Sequence, residues 1–357
     1  MAHASNARPP HPLGLHRVIT PAGVLPQPAQ AIDNRMVPHA NEMLIEVSAL
    51  NVDAASFTQV KELVGPDPEA IAAHMRAIVE ERGKLHNPVT GSGGMLIGRV
   101  KEIGPGFPNE GGLKRGDRIA TLVSLSLTPL QIHRITGVHL AAHQLEIDGE
   151  AILFASGIHV RLPEDIDERL ALAVLDVAGA PAQTARLVHP GDTVAVLGGA
   201  GKAGLLSLYA ARRAAGARGR TIGISPFEHE CEEMRACDWI DTVLRTDARD
   251  AVAVMQAVEE ATSGAMADVV INCVNVPGTE MASILSVREG GTVCFFSMAT
   301  SFTAAALGAE GVGKDATLLI GNGYARGHAD FALGLLRESE ALRAIFQRRY
   351  APAEASA

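Results

Sequence analysis

The run Gly198-Gly-Ala-Gly-Lys-Ala-Gly204 carries the most specific chemistry in this sequence. Gly199, Gly201 and Gly204 satisfy G-x-G-x-x-G between a short apolar strand, Thr193–Leu197, and a helical stretch, Lys202–Ala215. In such a loop the first glycine permits the tight turn, the second lets backbone approach a pyrophosphate, and the third lets helix pack on strand. The helix start, with Lys202 and Ala203, then directs backbone N–H groups at the phosphates. Set between a strand and a helix, the pattern reads as a dinucleotide site; an ordinary glycine-rich turn is the plainer alternative.

Which dinucleotide is left open. An acid about 20 residues on would hydrogen-bond the ribose hydroxyls of NAD. Here the second strand ends at Ser225, followed by Pro226 and Phe227, and the nearest acids are Glu228 and Glu230. A small polar residue leaves room for the 2′-phosphate of NADP, yet no Arg follows Ser225 to hold it. Two later strands end at Asn272 and Cys273 and at Ser297 and Met298. Ligands of such sheets sit outside the carboxyl ends of the strands, so these four are candidate cofactor contacts, with strand-end packing as the alternative. Asp176 stands in an apolar helical run, LALAVLDVAGA; a buried carboxylate is costly, so it either faces a ligand or finds a partner.

The elements around these residues alternate in kind. Met43–Leu50, Met95–Ile103 and Arg118–Ser124 read as strands, with a helix over Glu69–Arg82 between them. From about residue 165 strands alternate with helices, which predicts βαβ units and a parallel sheet, and Ala329–Tyr350 reads as helical. The expected organisation is α/β: a β domain over 1–170 to which 325–357 returns, and a doubly wound nucleotide domain over 171–324.

Composition excludes other classes. At 357 residues, 47% of them hydrophobic, the chain can bury two domain cores. A formal net charge of −9 without a basic block suits no nucleic-acid partner, and 4% aromatics make no stacking platform. No apolar run is long enough to span a membrane, and the N-terminus has no secretory h-region, so a cytoplasmic location is expected. The four cysteines lack C-x-x-C spacing, which speaks against a structural zinc. The thirteen histidines do not cluster in the sequence.

Three blocks, Asn41–Thr58, Gly93–Gly104 with Leu113–Arg118, and Leu187–Asp192 leading into the glycine loop, resemble the medium-chain dehydrogenase/reductase superfamily. That resemblance implies a GroES-like β domain, a Rossmann domain and a homodimer. The strings NPVTGSGGMLIGRV, AVLDVAGAPAQ, INCVNVPGTEMASIL and IGNGYARGHADF are more specific. They resemble the L-erythro-3,5-diaminohexanoate dehydrogenase family of lysine fermentation, over about Gly14 to Tyr350. The resemblance implies oxidative deamination to 5-amino-3-oxohexanoate with a nicotinamide acceptor, mainly NAD, with NADP as the alternative.

Lined up on the zinc-bearing members of the superfamily, the first ligand position holds Asp53, the His position Gly94 beside Met95, and the last Cys position about Val174. Zinc needs three converging donors, so a metal-independent enzyme is expected. Deamination needs carboxylates for the amines, a base for water and a cation or N–H groups for the substrate carboxylate. Asp53 is the first candidate to bind the reacting amine, its alternative being a helix cap. Ser56, one turn on, is a weaker one. Glu310 and Lys314, in the glycine-rich stretch Gly308–Asp315, are candidates for holding the distal ammonium and for the substrate carboxylate or a base role; a surface turn is the alternative. A quinone or enoyl reductase of the same superfamily, or a nucleotide-binding protein without catalysis, would account for the same glycine loop.

Overall fold

In the computed structural model, residues 10–52, 54–87, 93–140 and 142–351 are described. The chain divides into two compact units, Met1–Pro163 and Glu164–Ala357.

The first unit opens with a short antiparallel pair, β1 (Val18–Thr20) and β2 (Ala31–Ile32). Six further strands form one antiparallel sheet: β3 (Glu42–Asn51), β4 (Met95–Ile103), β5 (Arg118–Thr121), β6 (Leu130–His139), β7 (Gln144–Phe154) and β8 (His159–Arg161). Their order is β6-β7-β3-β4-β5-β8. β3 is central, its backbone pairing with β4 on one side and β7 on the other, and Met43, Ile45, Val47 and Leu50 are all buried. Two helices lie between β3 and β4: α1 (Ala54–Val64) and α2 (Pro68–Arg82). The second has complete end signals. Asp67 accepts from the Glu69 and Ala70 N–H groups, Pro68 occupies the first turn, and Gly83 stops it at φ 71°. Ile71, Met75 and Val79, four apart, are its buried stripe.

The second unit begins with α3 (Glu168–Leu175) and α4 (Gly179–Leu187). Its strands are β9 (Thr193–Leu197), β10 (Arg220–Ser225), β11 (Thr242–Arg245), β12 (Ala267–Asn272), β13 (Val287–Phe295) and β14 (Ala316–Ile320). All pairings are parallel, in the order β11-β10-β9-β12-β13-β14. Relabelled along this unit, that is the 3-2-1-4-5-6 order of dinucleotide-binding domains. β9 lies at the centre with Val194 to Leu197 at 0% exposure, the fully apolar run that a strand covered on both faces requires. The connecting helices are α5 (Lys202–Ala215), α6 (Glu228–Arg235), α7 (Ala251–Ala261), α8 (Glu280–Ser286) and α9 (Phe302–Gly311). The last helical stretch is broken at Ser339, which caps the second of two helices, α10 (His328–Glu338) and α11 (Glu340–Tyr350).

This is the two-part α/β architecture, an antiparallel β unit and a Rossmann unit, that the superfamily resemblance implies. α10 and α11 pack on α3, α4 and α5, so residues 325–350, expected with the β domain, lie in the second unit. Among the described residues no helix is long and apolar enough to cross a membrane.

Candidate active site

The carboxyl ends of β9, β10, β12 and β13 line one edge of the parallel sheet, and the glycine loop leaves β9 at its middle. Gly198 takes φ 73°, and its N–H and that of Gly199 both donate to the Ile224 carbonyl, binding the loop to β10. The glycines differ in what forbids a side chain. A Cβ on Gly204 would lie 2.1 Å from the Gly198 carbonyl oxygen, and one on Gly199 would press on Leu208, Met234 and Gly223. These two serve packing inside the protein. A Cβ on Gly201 would meet only the Gly198 oxygen at 3.5 Å. The space beside Gly201 is therefore open. α5 starts there with no side chain capping its N-terminus, leaving the positive end of its dipole to an anion. The residues fit a pyrophosphate, with Gly201, Lys202 and Ala203 as its cradle.

Lys202 and Asp176, assigned separately to cofactor and chemistry, come together. Asp176 follows the last residue of α3 and is not buried within it; its side chain is 41% exposed and takes the Lys202 ammonium at 2.5 Å. The Lys202 ammonium also lies 5.8 Å from the Tyr350 ring centroid.

Beyond the end of β10 the next helix supplies an acid. Ser225 is buried, and its hydroxyl donates to the Glu230 carboxylate in the first turn of α6. Ser225 pairs in register with Arg245, which ends β11, and Glu228 holds both Arg245 and Arg235. Both acids and an arginine thus gather where the ribose hydroxyls would lie, a grouping that sequence distance conceals.

Asn272 is buried, and its side chain is engaged within the protein. Its amide donates to Thr279 Oγ1 and Ser283 Oγ, both at 2.9 Å, and its Oδ1 accepts from the Val274 N–H. It organises the turn into α8, which is the strand-end packing that stands as the alternative to a cofactor contact. Burial pushes the Cys273 thiol up to about 12 and the Cys294 thiol up to about 11, so neither is a thiolate near neutrality. Ser297 is buried, accepting from the Ala299 N–H, and Met298 is 75% exposed beside the strand ends.

Glu310 and Lys314 do not belong to this edge. Glu310 lies in the last turn of α9, exposed, and Lys314 faces Glu289 at 3.5 Å before the start of β14. They sit at the amino ends of the strands, the length of β14 away, roughly 15 Å at about 3.3 Å per residue. One of the glycines there serves packing: a Cβ on Gly308 would lie 2.4 Å from Met281 Sδ, so Gly308 lets α9 pack on α8; Gly311 and Gly313 have open space beside them.

In the first unit, Asp53 lies outside the described residues, and Ser56 is buried in the first turn of α1. Gly94, at the position of a zinc-ligating histidine, has φ 95°, and a Cβ there would lie 2.0 Å from the Asn51 carbonyl oxygen. In the second unit Val174 is fully buried. These residues do not fit a catalytic zinc.

Histidines do gather elsewhere, against the reading of the sequence. His16, His39 and Glu42 bring their ligand atoms within 4.8 Å of one another. They do not fit a metal either. Glu42 Oε1 takes His16 and Arg17 Nε, and Oε2 takes Arg17 Nη2 and the His39 N–H. The buried Arg17 guanidinium supplies the positive charge. Burial pushes the Glu42 carboxyl up, but the hydrogen bonds from Arg17, His16 and the His39 amide overcome this and hold it at about 2.

Comparison with known proteins gives the same division. Residues 16–163 match the L-erythro-3,5-diaminohexanoate dehydrogenase N-terminal domain, and residues 203–312 match the domain described as zinc-binding dehydrogenase. The chain is 55% identical over 337 residues to the L-erythro-3,5-diaminohexanoate dehydrogenase of Acetoanaerobium sticklandii, covering 94% of this chain and 98% of that one. It is 54% identical over 338 residues to that of Fusobacterium nucleatum, with the same coverages. Among solved structures, mycobacterial Rv1454c complexed with NADPH aligns with a TM-score of 0.55 at 18% identity, over 88% of this chain and 90% of that one. The last shows shared fold alone.

Proposed function

Because the chain belongs to the L-erythro-3,5-diaminohexanoate dehydrogenase family, we propose that it oxidises L-erythro-3,5-diaminohexanoate to 5-amino-3-oxohexanoate, releasing ammonium, with NAD as acceptor. The observation that carries the cofactor half of this reading is the open side of Gly201 at an uncapped helix start. The family relationship along nearly the whole chain carries the substrate half.

When bound, the nicotinamide supplies the hydride acceptor. The N–H groups at the start of α5, with Lys202, receive the phosphates. The Glu230 carboxylate, held by Ser225, accepts from the adenosine ribose hydroxyls. A carboxylate there opposes a 2′-phosphate, and Arg245, which would hold one, is engaged by Glu228; both features favour NAD over NADP. Asp176 takes the proton from the reacting ammonium on Oδ1, while the Lys202 ammonium on Oδ2 orients the carboxylate through a charge-assisted hydrogen bond. Asp53 is proposed for amine binding on sequence grounds alone. The closed space at Gly94 supports catalysis without a metal ion. The exposed Phe302, Leu307 and Ile320, on α9 and the edge strand β14, support a homodimer.

The test is the absorbance of reduced nicotinamide when 3,5-diaminohexanoate is added with NAD or with NADP. We expect turnover with NAD, ammonium released in equal amount, and no loss after exhaustive chelation. Folded protein that reduces neither cofactor overturns the reading.

A further inference from the structure

The last turn of α11 reaches the glycine loop and its surroundings at three points. Arg349 Nη1 donates to the Ala200 carbonyl at 2.6 Å. The Arg349 and Arg348 guanidiniums both meet the Glu233 carboxylate on α6. The Tyr350 ring lies within cation–π reach of Lys202. Arg349 and Glu233 are mostly buried, at 23% and 17% side-chain exposure, so their pairing is more than a surface contact.

The contact at Ala200 matters because of the peptide it grips. The Ala200 carbonyl and the Gly201 N–H belong to one planar peptide unit, so fixing one end fixes the direction of the other. Gly201 N–H donates to the Gly198 carbonyl, and Arg349 holds the opposite end. Gly201 has no Cβ to restrict it and open space beside its Cα, so its backbone is fixed by hydrogen bonds alone. Arg349 adds a side-chain hold to these backbone bonds, and N–H groups fixed before the ligand arrives cost it less affinity to order.

We propose that Arg349 is a positioning residue for the pyrophosphate cradle: it locks the Ala200–Gly201 peptide, and Glu233 holds the guanidinium in place to do so. This rests on the reading of the glycine loop as a nucleotide site. Neither the motif nor its 20-residue surroundings contain Arg349, which comes from the far end of the chain.

The experiment titrates the full chain and two variants with NAD, with ADP-ribose, which carries the pyrophosphate, and with adenosine, which does not. Arg349→Ala is expected to weaken NAD and ADP-ribose by roughly tenfold and leave adenosine unchanged. Glu233→Gln, which preserves size, should weaken the same two ligands several-fold, and it provides the answer if Arg349→Ala does not fold. Arg349→Lys should recover part of the loss. Unchanged ADP-ribose affinity in the variants overturns the proposal. So does equal weakening of all three ligands, the mark of a merely structural role, and so does tighter binding by Glu233→Gln, which would show charge acting in place of position. A wild-type chain that binds none of the three overturns the nucleotide reading as well.

Discussion

Lys202 Nζ lies 2.5 Å from Asp176 Oδ2, joining the first residue of α5 to the residue that ends α3. The two side chains are 31% and 41% exposed. An exposed pair of this kind contributes only about 0–1 kcal/mol to folding. Replacing either residue should therefore leave stability nearly unchanged while removing its chemistry. Asp176→Asn is expected to lower kcat by about 100-fold or more, the scale of a lost proton acceptor, with NAD affinity retained. Lys202→Met should weaken NAD binding as well. Steady-state kinetics beside thermal unfolding separates the two; a near-wild-type kcat in Asp176→Asn removes it from proton transfer.

The glycine loop separates packing from binding. Gly201 has ordinary extended backbone, φ −70° and ψ 170°, and space for a side chain. Gly201→Val should fold normally and lose NAD binding. Gly204→Ala places a methyl 2.1 Å from the Gly198 oxygen and should destabilise the chain by about 1–3 kcal/mol. Urea unfolding and NAD titration of both variants give opposite patterns if the loop is correctly read.

Cofactor choice rests on Glu230 and Glu228. Glu230→Ala should weaken NAD by about 1–2 kcal/mol, roughly tenfold, through the lost ribose contact. Adding Glu228→Ala frees Arg245 from its acid and should raise affinity for NADP. Dissociation constants for both cofactors check this; an unchanged NADP to NAD ratio in the double variant would assign selectivity elsewhere.

Acid sensitivity stems from Glu42. Its carboxyl titrates at about 2 in the folded chain, against an ordinary 4.5. A depressed carboxylate stabilises fully above about pH 4.5 and loses that contribution as pH falls towards 2, roughly 3 kcal/mol in all at about 1.36 kcal/mol per unit. Glu42→Gln leaves Arg17 buried without its counter-charge and should cost about 3–5 kcal/mol at pH 7. Urea unfolding at pH 7 and pH 3 should show the wild type losing stability over that interval and the variant losing less.

The sequence is legible where local chemistry and fold agree. β4 and α5 run over the very residues expected, because an apolar run and a glycine stop leave little choice. The pair β6 and β7 escapes such reading: β6 has only two buried residues, Leu130 and Ile132, so its alternation is faint. Glu310 and Lys314 mislead because glycine density suggests a ligand loop where Gly308 and Gly311 lie within α9 and Gly308 packs on Met281. The apolar setting of Asp176 signals that it needs a partner, but Lys202 as that partner requires the third dimension. Arg349 gives only the weak signal of an arginine doublet at a helix end.

The turn at Gly94 also bears on how such enzymes change over time. A histidine cannot enter there by a single replacement, since the Asn51–Val52 backbone would first have to withdraw. A lineage that keeps this turn therefore keeps glycine at position 94, and a bulkier residue there has to arrive together with a shift of the neighbouring strand.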